Sequence, residues 1–190
     1  MNSPIRITSI ALGLVLFLFS VGLVYNQQYA SAKAASYDYE SVTVAQMKKD
    51  LECLALNIYR EGGYEPIEGR IAIAQVTLNR VTSDKFPNDV CQVVYQKNRV
   101  VSKMVCQFSW YCDVSHRTRP INAKAYNEAY EVAKKVYLEG FRLDSLEDAL
   151  YYHADYVNPR WKLERISQIG THIFYRPKGA DHPKLAGSDI

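Results

Sequence analysis

The sequence predicts a small α+β domain, with helices first and a short antiparallel sheet after them, entered by an N-terminal apolar helix. Three observations carry that prediction. Apolar residues recur at steps of three and four in the first half of the chain. Short stretches rich in aromatic and β-branched residues gather in the second half. Neither half alternates the two, as βαβ units would. The chain has 190 residues, 48% of them hydrophobic, and a formal net charge of +3. That is enough apolar mass for one core and too little charge to point to nucleic acid.

The N-terminus reads as an export element. Arg6 precedes an uncharged run from Ile7 to Tyr25, and a small-residue site, Ala30-Ser31-Ala32, follows. The run suits a cleaved signal peptide and is also about long enough to cross a bilayer as an anchor. Residues 1–32 are therefore expected to be a signal peptide or membrane anchor and 33–41 a linker. A catalytic domain is expected over 42–178 and a flexible tail over 179–190. Either fate of the N-terminal segment places the domain outside the cytoplasm, in the periplasm or cell envelope. The membrane is a partner only if the segment stays uncleaved.

Val44, Met47, Leu51, Leu54 and Ile58 form one apolar stripe, so the first helix begins behind Thr43 as N-cap and ends at Gly62-Gly63. A second helix starts at Pro66 and runs through Ile67, Ile71, Ala74, Leu78 and Val81. Asn88 caps a short helix through Val94. Asn122 to Glu139 forms another helix, with Ala125, Ala129, Val132 and Val136 on one face and Gly140 as its stop. Strands are expected at Val105–Trp110, Ala149–His153 and Ile169–Tyr175. Four cysteines in an exported domain suggest disulfides. Of the three pairings, Cys106–Cys112 is favoured by its short loop, which leaves Cys53–Cys91.

Three residues after Ile58, the apolar stripe of the first helix reaches Glu61. A carboxyl there meets a desolvating face and the negative end of the helix dipole, and both raise its pKa. A carboxylic acid that keeps its proton near neutral pH is what protonates the leaving oxygen of a glycosidic bond. Glu65 sits at the start of the second helix, where the dipole favours the anion. It reads as a cap or loop holder before it reads as a second catalytic group. His153, Asp155 and His172 could suggest a metal, but strand histidines are more often packed and hydrogen-bonded, and neither a metal nor a cofactor is expected.

The stretch Tyr59-Arg60-Glu61-Gly62-Gly63-Tyr64-Glu65-Pro66-Ile67-Glu68-Gly69 resembles the signature Y-x-E-[AS]-R-G-E-P-x-x-G-Q of the SleB/CwlJ-type cell wall hydrolases. The likeness continues through Ile71–Val81, Phe86-Pro87-Asn88, Val93–Gln96, Gln107–Trp110, Ala149–Tyr152 and Gln168–Phe174, in the family's order. It implies a small lysozyme-like or lytic-transglycosylase-like fold that cuts between N-acetylmuramic acid and N-acetylglucosamine, with Glu61 as the catalytic residue and Glu65 at the family's second glutamate. Gly62-Gly63-Tyr64 departs from the signature and removes an arginine expected near the site, and Arg70 stands where glutamine is common.

The expected partner is the peptidoglycan glycan strand, bound by a monomer. Gln107, Phe108, Ser109, Trp110, Tyr151 and Tyr152 are the candidate substrate contacts, since aromatic faces cover sugar C–H surfaces. The expected activity is that of a lytic transglycosylase, and the alternative is a lysozyme-type muramidase using Glu61 with Glu65. Two rivals follow further behind. One is a peptidase or amidase pairing Cys106 or Cys112 with His153 or His172. The other is a wall-binding membrane protein without catalysis.

Overall fold

The computed structural model describes residues 43–179, together with Ser20, Gly22 and Leu23. The expected signal peptide or anchor, the linker and the C-terminal tail fall almost wholly outside the described residues. Among the described residues, no helix is long and apolar enough to cross a membrane.

The helical half comes first. Helix α1 spans Val44–Gly62, and the Thr43 side chain accepts from the Gln46 N–H as its cap. Leu51, Leu54 and Ile58 of the predicted stripe are buried, while Val44 at the entrance is exposed. Gly62 is buried because a Cβ there would stand 2.7 Å from Ile73 Cδ1. Helix α2 spans Ile67–Val81, one residue after the expected start, with Pro66 as the cap residue. It is buried almost all round, which marks it as the central rod of the domain.

Helix α3 spans Val90–Val94, and Asp89 rather than Asn88 caps it by accepting from Gln92 N–H. Helix α6 spans Ala123–Tyr137 with Asn122 as cap, as the sequence implies. It ends two residues early, and Gly140 takes the left-handed conformation (φ +71°) in the turn that follows. Helices α1, α2, α3 and α6 pack together. The Tyr137 hydroxyl, for example, donates to buried Asp50 across the α1–α6 contact.

The strands differ from expectation in two places. Val105–Trp110 is not a strand. Strands β1 (Lys97–Val100) and β2 (Lys103–Cys106) form an antiparallel hairpin that ends at Cys106, and a one-turn helix, α4 (Ser109–Cys112), follows. The reason is covalent. Cys106 and Cys112 are joined with their Cα atoms 5.7 Å apart, whereas six extended residues would span roughly 20 Å. A second short helix, α5 (Val114–Thr118), is capped by Asp113.

The second sheet has the order β3-β5-β4, all antiparallel: β3 Tyr151–Ala154, β4 Glu164–Ile169 and β5 His172–Arg176. The run expected as one strand, Ile169–Tyr175, folds back at Gly170-Thr171. Gly170 sits at φ +57° in a two-residue hairpin loop, where glycine in first place matches the strands' twist. Sheet and helices share a core of Ala72, Val76, Leu146, Ala149 and Phe174, all fully buried. That contact sets the sheet against the middle of α2 and brings Tyr152 of β3 to Glu61 at the end of α1.

Both expected disulfides are present, Cys53–Cys91 and Cys106–Cys112, and no cysteine is free. The cysteine peptidase or amidase reading therefore has no thiol to act as nucleophile.

Candidate active site

Glu61 lies in the last turn of α1, half-buried, where two cavities meet. One, of about 420 Å³, is walled by Gln107, Phe108, Ser109 and Trp110 on one side and by Tyr151 and Tyr152 on the other. All six residues proposed from the sequence as substrate contacts thus border one space. The second, of about 610 Å³, opens on the other side of Glu61, between Tyr59, Tyr64, Asn122 and Thr171. A carboxyl between two such spaces suits a chain substrate that continues on both sides of the bond to be cut.

The carboxyl of Glu61 is pushed up to about 7. Burial is the main cause, and two neighbours work against it. The Tyr152 hydroxyl donates to Oε2 over a long 3.4 Å, and the guanidinium of Arg80 supplies positive charge. Burial of its hydroxyl and the nearby Glu61 push the Tyr152 phenol well above its ordinary range, so it remains a donor whatever the state of Glu61.

Arg80 was not among the residues singled out from the sequence. It is 3% exposed, and its Nε donates to the Leu150 carbonyl at 2.8 Å. Its guanidinium lies over the rings of Phe108 and Tyr152, 5.1 and 5.8 Å from their centres. The only signal available was a cation in the last turn of a helix whose apolar stripe runs to Leu78 and Val81 on either side of it. The arginine missing from the Gly62-Gly63 stretch thus has a counterpart from a different helix. Arg60 also borders both cavities, and its guanidinium donates to the Arg117 and Arg119 carbonyls. Arg70 donates to the Gly63 and Glu65 carbonyls and fastens the loop between α1 and α2.

Glu65 is 8% exposed, and its carboxylate is taken up by the β4–β5 turn. One oxygen accepts from the Thr171 N–H at 3.0 Å, the other from the Thr171 hydroxyl, and His172 Nδ1 lies 3.5 Å away. A Cβ on Gly170 would fall 1.8 Å from Glu65 Oε2. Gly170→Ala is therefore expected to combine a strained positive φ with eviction of the Glu65 carboxylate. It should lower stability by about 2 kcal/mol or more, read as a drop in Tm or in the urea midpoint.

Of the proposed aromatics, Phe108 and Trp110 are 2% and 3% exposed and serve mainly as floor. The Trp110 indole N–H donates to buried Asn57. Tyr151 and Tyr152 are half-buried. Trp161 lies 44% exposed on the same cavity and packs edge-on to His153 and Tyr175. It offers a freer ring than Phe108 or Trp110.

His153 has both ring nitrogens engaged, with the Ala154 carbonyl and the Tyr175 hydroxyl. His172 is buried and its pKa is lowered by burial, partly offset by Glu65. Among the described residues, the one grouping close enough to share a metal is Asp50, Asp89 and Cys91, whose sulfur is already bonded to Cys53.

The chain is similar to known proteins over most of its described length. A family model described as Cell Wall Hydrolase matches residues 64–175, beginning just past Glu61. The spore cortex-lytic enzyme of Bacillus cereus (strain ATCC 14579) is 32% identical over 131 residues, which cover 67% of this chain and 44% of that protein. The spore cortex-lytic enzyme of Bacillus subtilis (strain 168) is 33% identical over 129 residues, 66% of this chain and 37% of that one. The chain thus spans less than half the length of these curated relatives. Among solved structures, the catalytic domain of the Bacillus cereus SleB protein is 30% identical, with a TM-score of 0.50 over 68% of this chain and 91% of that one.

Proposed function

The chain belongs to the cell wall hydrolase family, and from that premise we propose that it cuts peptidoglycan glycan strands between N-acetylmuramic acid and N-acetylglucosamine, with Glu61 as general acid and then base. The observation that carries this reading is a carboxyl at the junction of two cavities, pushed up to about 7 by burial. The names of the relatives, which act on spore cortex, support a peptidoglycan substrate. Such a substrate lies outside the cytoplasm, in line with an exported enzyme of the cell envelope.

In the proposed reaction, the Glu61 proton passes to the glycosidic oxygen as the bond from muramic acid C1 breaks. Positive charge develops on that ring. The glutamate is now an anion, stabilised by the Tyr152 hydroxyl and the buried Arg80 cation, both already in place. The carboxylate then takes the proton of the sugar's own 6-hydroxyl as that oxygen attacks C1. The product carries a 1,6-anhydro ring, and Glu61 has its proton back.

This route needs one carboxyl. Glu65 supports it by being engaged elsewhere, since both its oxygens accept from Thr171. Its part is to hold the β4–β5 turn that carries His172 beside Tyr152, the two rings 5.1 Å apart. Mass spectrometry of the soluble fragments from purified peptidoglycan tests the proposal. Anhydro-muropeptides are expected. Reducing ends would instead mean water as the acceptor and a lysozyme-type reaction, and intact sacculi would remove the enzymatic reading altogether.

A further inference from the structure

The charge of this protein is unevenly placed. From Val90 to Asn127 there are six cations, Lys97, Arg99, Lys103, Arg117, Arg119 and Lys124, against the single acid Asp113. The rest of the chain holds seventeen cations against twenty acids less that one, so the segment is net positive and the remainder slightly negative. Asp113 is occupied locally, accepting from the Ser115 hydroxyl and the His116 N–H. Among the described residues, none of the six cations lies within ion-pair distance of a carboxylate.

Half of that charge stands on the β1–β2 hairpin. Lys97, Arg99 and Lys103 are all exposed, and so are the apolar Val101 (94%), Met104 and Val105. Val101 is the one non-glycine residue at positive φ among the described residues (+55°), a conformation a β-branched side chain adopts at a cost. A two-stranded hairpin with both faces in water has little of its own to hold it. This one is fastened at its base. The Gln107 N–H donates to the Gln96 carbonyl at 2.9 Å, and the Cys106–Cys112 disulfide ties β2 to α4. Gln107, Ser109 and Trp110 border the cavity beside Glu61, so the hairpin rises directly from the cleft wall.

Four residues per strand give the hairpin a reach of roughly 13 Å. A short peptide of four extended residues spans about the same. In peptidoglycan such peptides hang from the lactyl group of muramic acid and carry several free carboxylates and alanine methyls. Their charge opposes that of the hairpin, and the methyls suit its apolar residues.

We propose that the β1–β2 hairpin is the docking surface for the acidic stem peptide of the muramic acid bound at the cleft, through Lys97, Arg99 and Lys103. This rests on the glycan-cleaving function proposed above and specifies its substrate: strands that still carry stems are preferred to naked glycan. The stem lies along the hairpin and so fixes which sugar is presented to Glu61.

The experiment is a binding comparison made in the non-cleaving Glu61→Gln background of the full chain. Intact sacculi are compared with glycan strands whose stems have been removed by an amidase. Lys97→Gln, Arg99→Gln and Lys103→Gln combined should weaken binding to intact sacculi about tenfold, and raised salt should erase the difference. On stripped strands the same triple variant should bind as its parent does. Equal weakening on both polymers, or no weakening on either, overturns the proposal. So does a hairpin-dependent affinity found for phosphatidylglycerol vesicles but not for stems, which would make the surface a membrane contact. The parent protein's fragment release from intact sacculi is measured separately, so a failed glycosidase reading shows there and is not mistaken for a failed docking surface.

Discussion

Glu61→Gln is expected to lower release of soluble fragments from peptidoglycan by at least about a thousandfold while the protein still folds. General acid–base catalysis by one positioned group contributes roughly 10² to 10⁴, and here a single group is proposed to act in both half-reactions. Glutamine keeps the shape and can still accept from the Tyr152 hydroxyl. It has no proton of suitable acidity to give and no charge with which to take one back. The loss should fall on kcat rather than KM, because the cleft walls are untouched. Fragment release within tenfold of the parent's would remove Glu61 from the chemistry.

The second large effect is with pH. The protonated acid starts the reaction, so kcat/KM should fall about tenfold per pH unit above about 7, where Glu61 ionises in the free enzyme. The two groups that act on its charge do not change sign in that range. Arg80 is a cation, and Tyr152 titrates well above its usual value. Stability should show the same group with the opposite benefit. The folded-state pKa lies above the ordinary 4.5, so the folded protein holds this proton more tightly than the unfolded chain does. That contribution is fully present below about 4.5 and is lost as pH rises to about 7, a change of roughly 3 kcal/mol in all. Glu61→Gln has no such proton to lose. Urea unfolding should therefore show the variant gaining on its parent by about 2–3 kcal/mol between pH 5 and pH 8. A constant difference across that range would mean that Glu61 titrates like a solvated carboxylate.

Helices α1, α2 and α6 were legible because each declares itself locally. Thr43 and Asn122 cap by side-chain bonds to backbone three residues on, and the stripe of α1 is an arithmetic property of the chain. The position of Glu61 at the end of that stripe was legible for the same reason, as was the direction of its pKa shift. The sheet was harder. The stretch Ile169–Tyr175 carries strand propensity throughout, and only the conformation of Gly170 divides it. Val105–Trp110 has the composition of a strand and is bent by a bond to Cys112, a constraint that propensity does not record.

What the sequence determined by itself is therefore the covalent and near-neighbour part: the order of the main helices, the Thr43 and Asn122 caps, the favoured disulfide pairing and the acid at the end of α1. Only the tertiary structure decided what that acid faces. Tyr152 comes from ninety-one residues away and Arg80 from a neighbouring helix. Glu65 is matched to Thr171 across 106 residues. These partners are chosen by how the sheet packs on α2 through Phe174 and Val76, and charge at a distance leaves no period in the chain. An electrostatic environment is a sum over neighbours in space, so it could not be read until the neighbours were known.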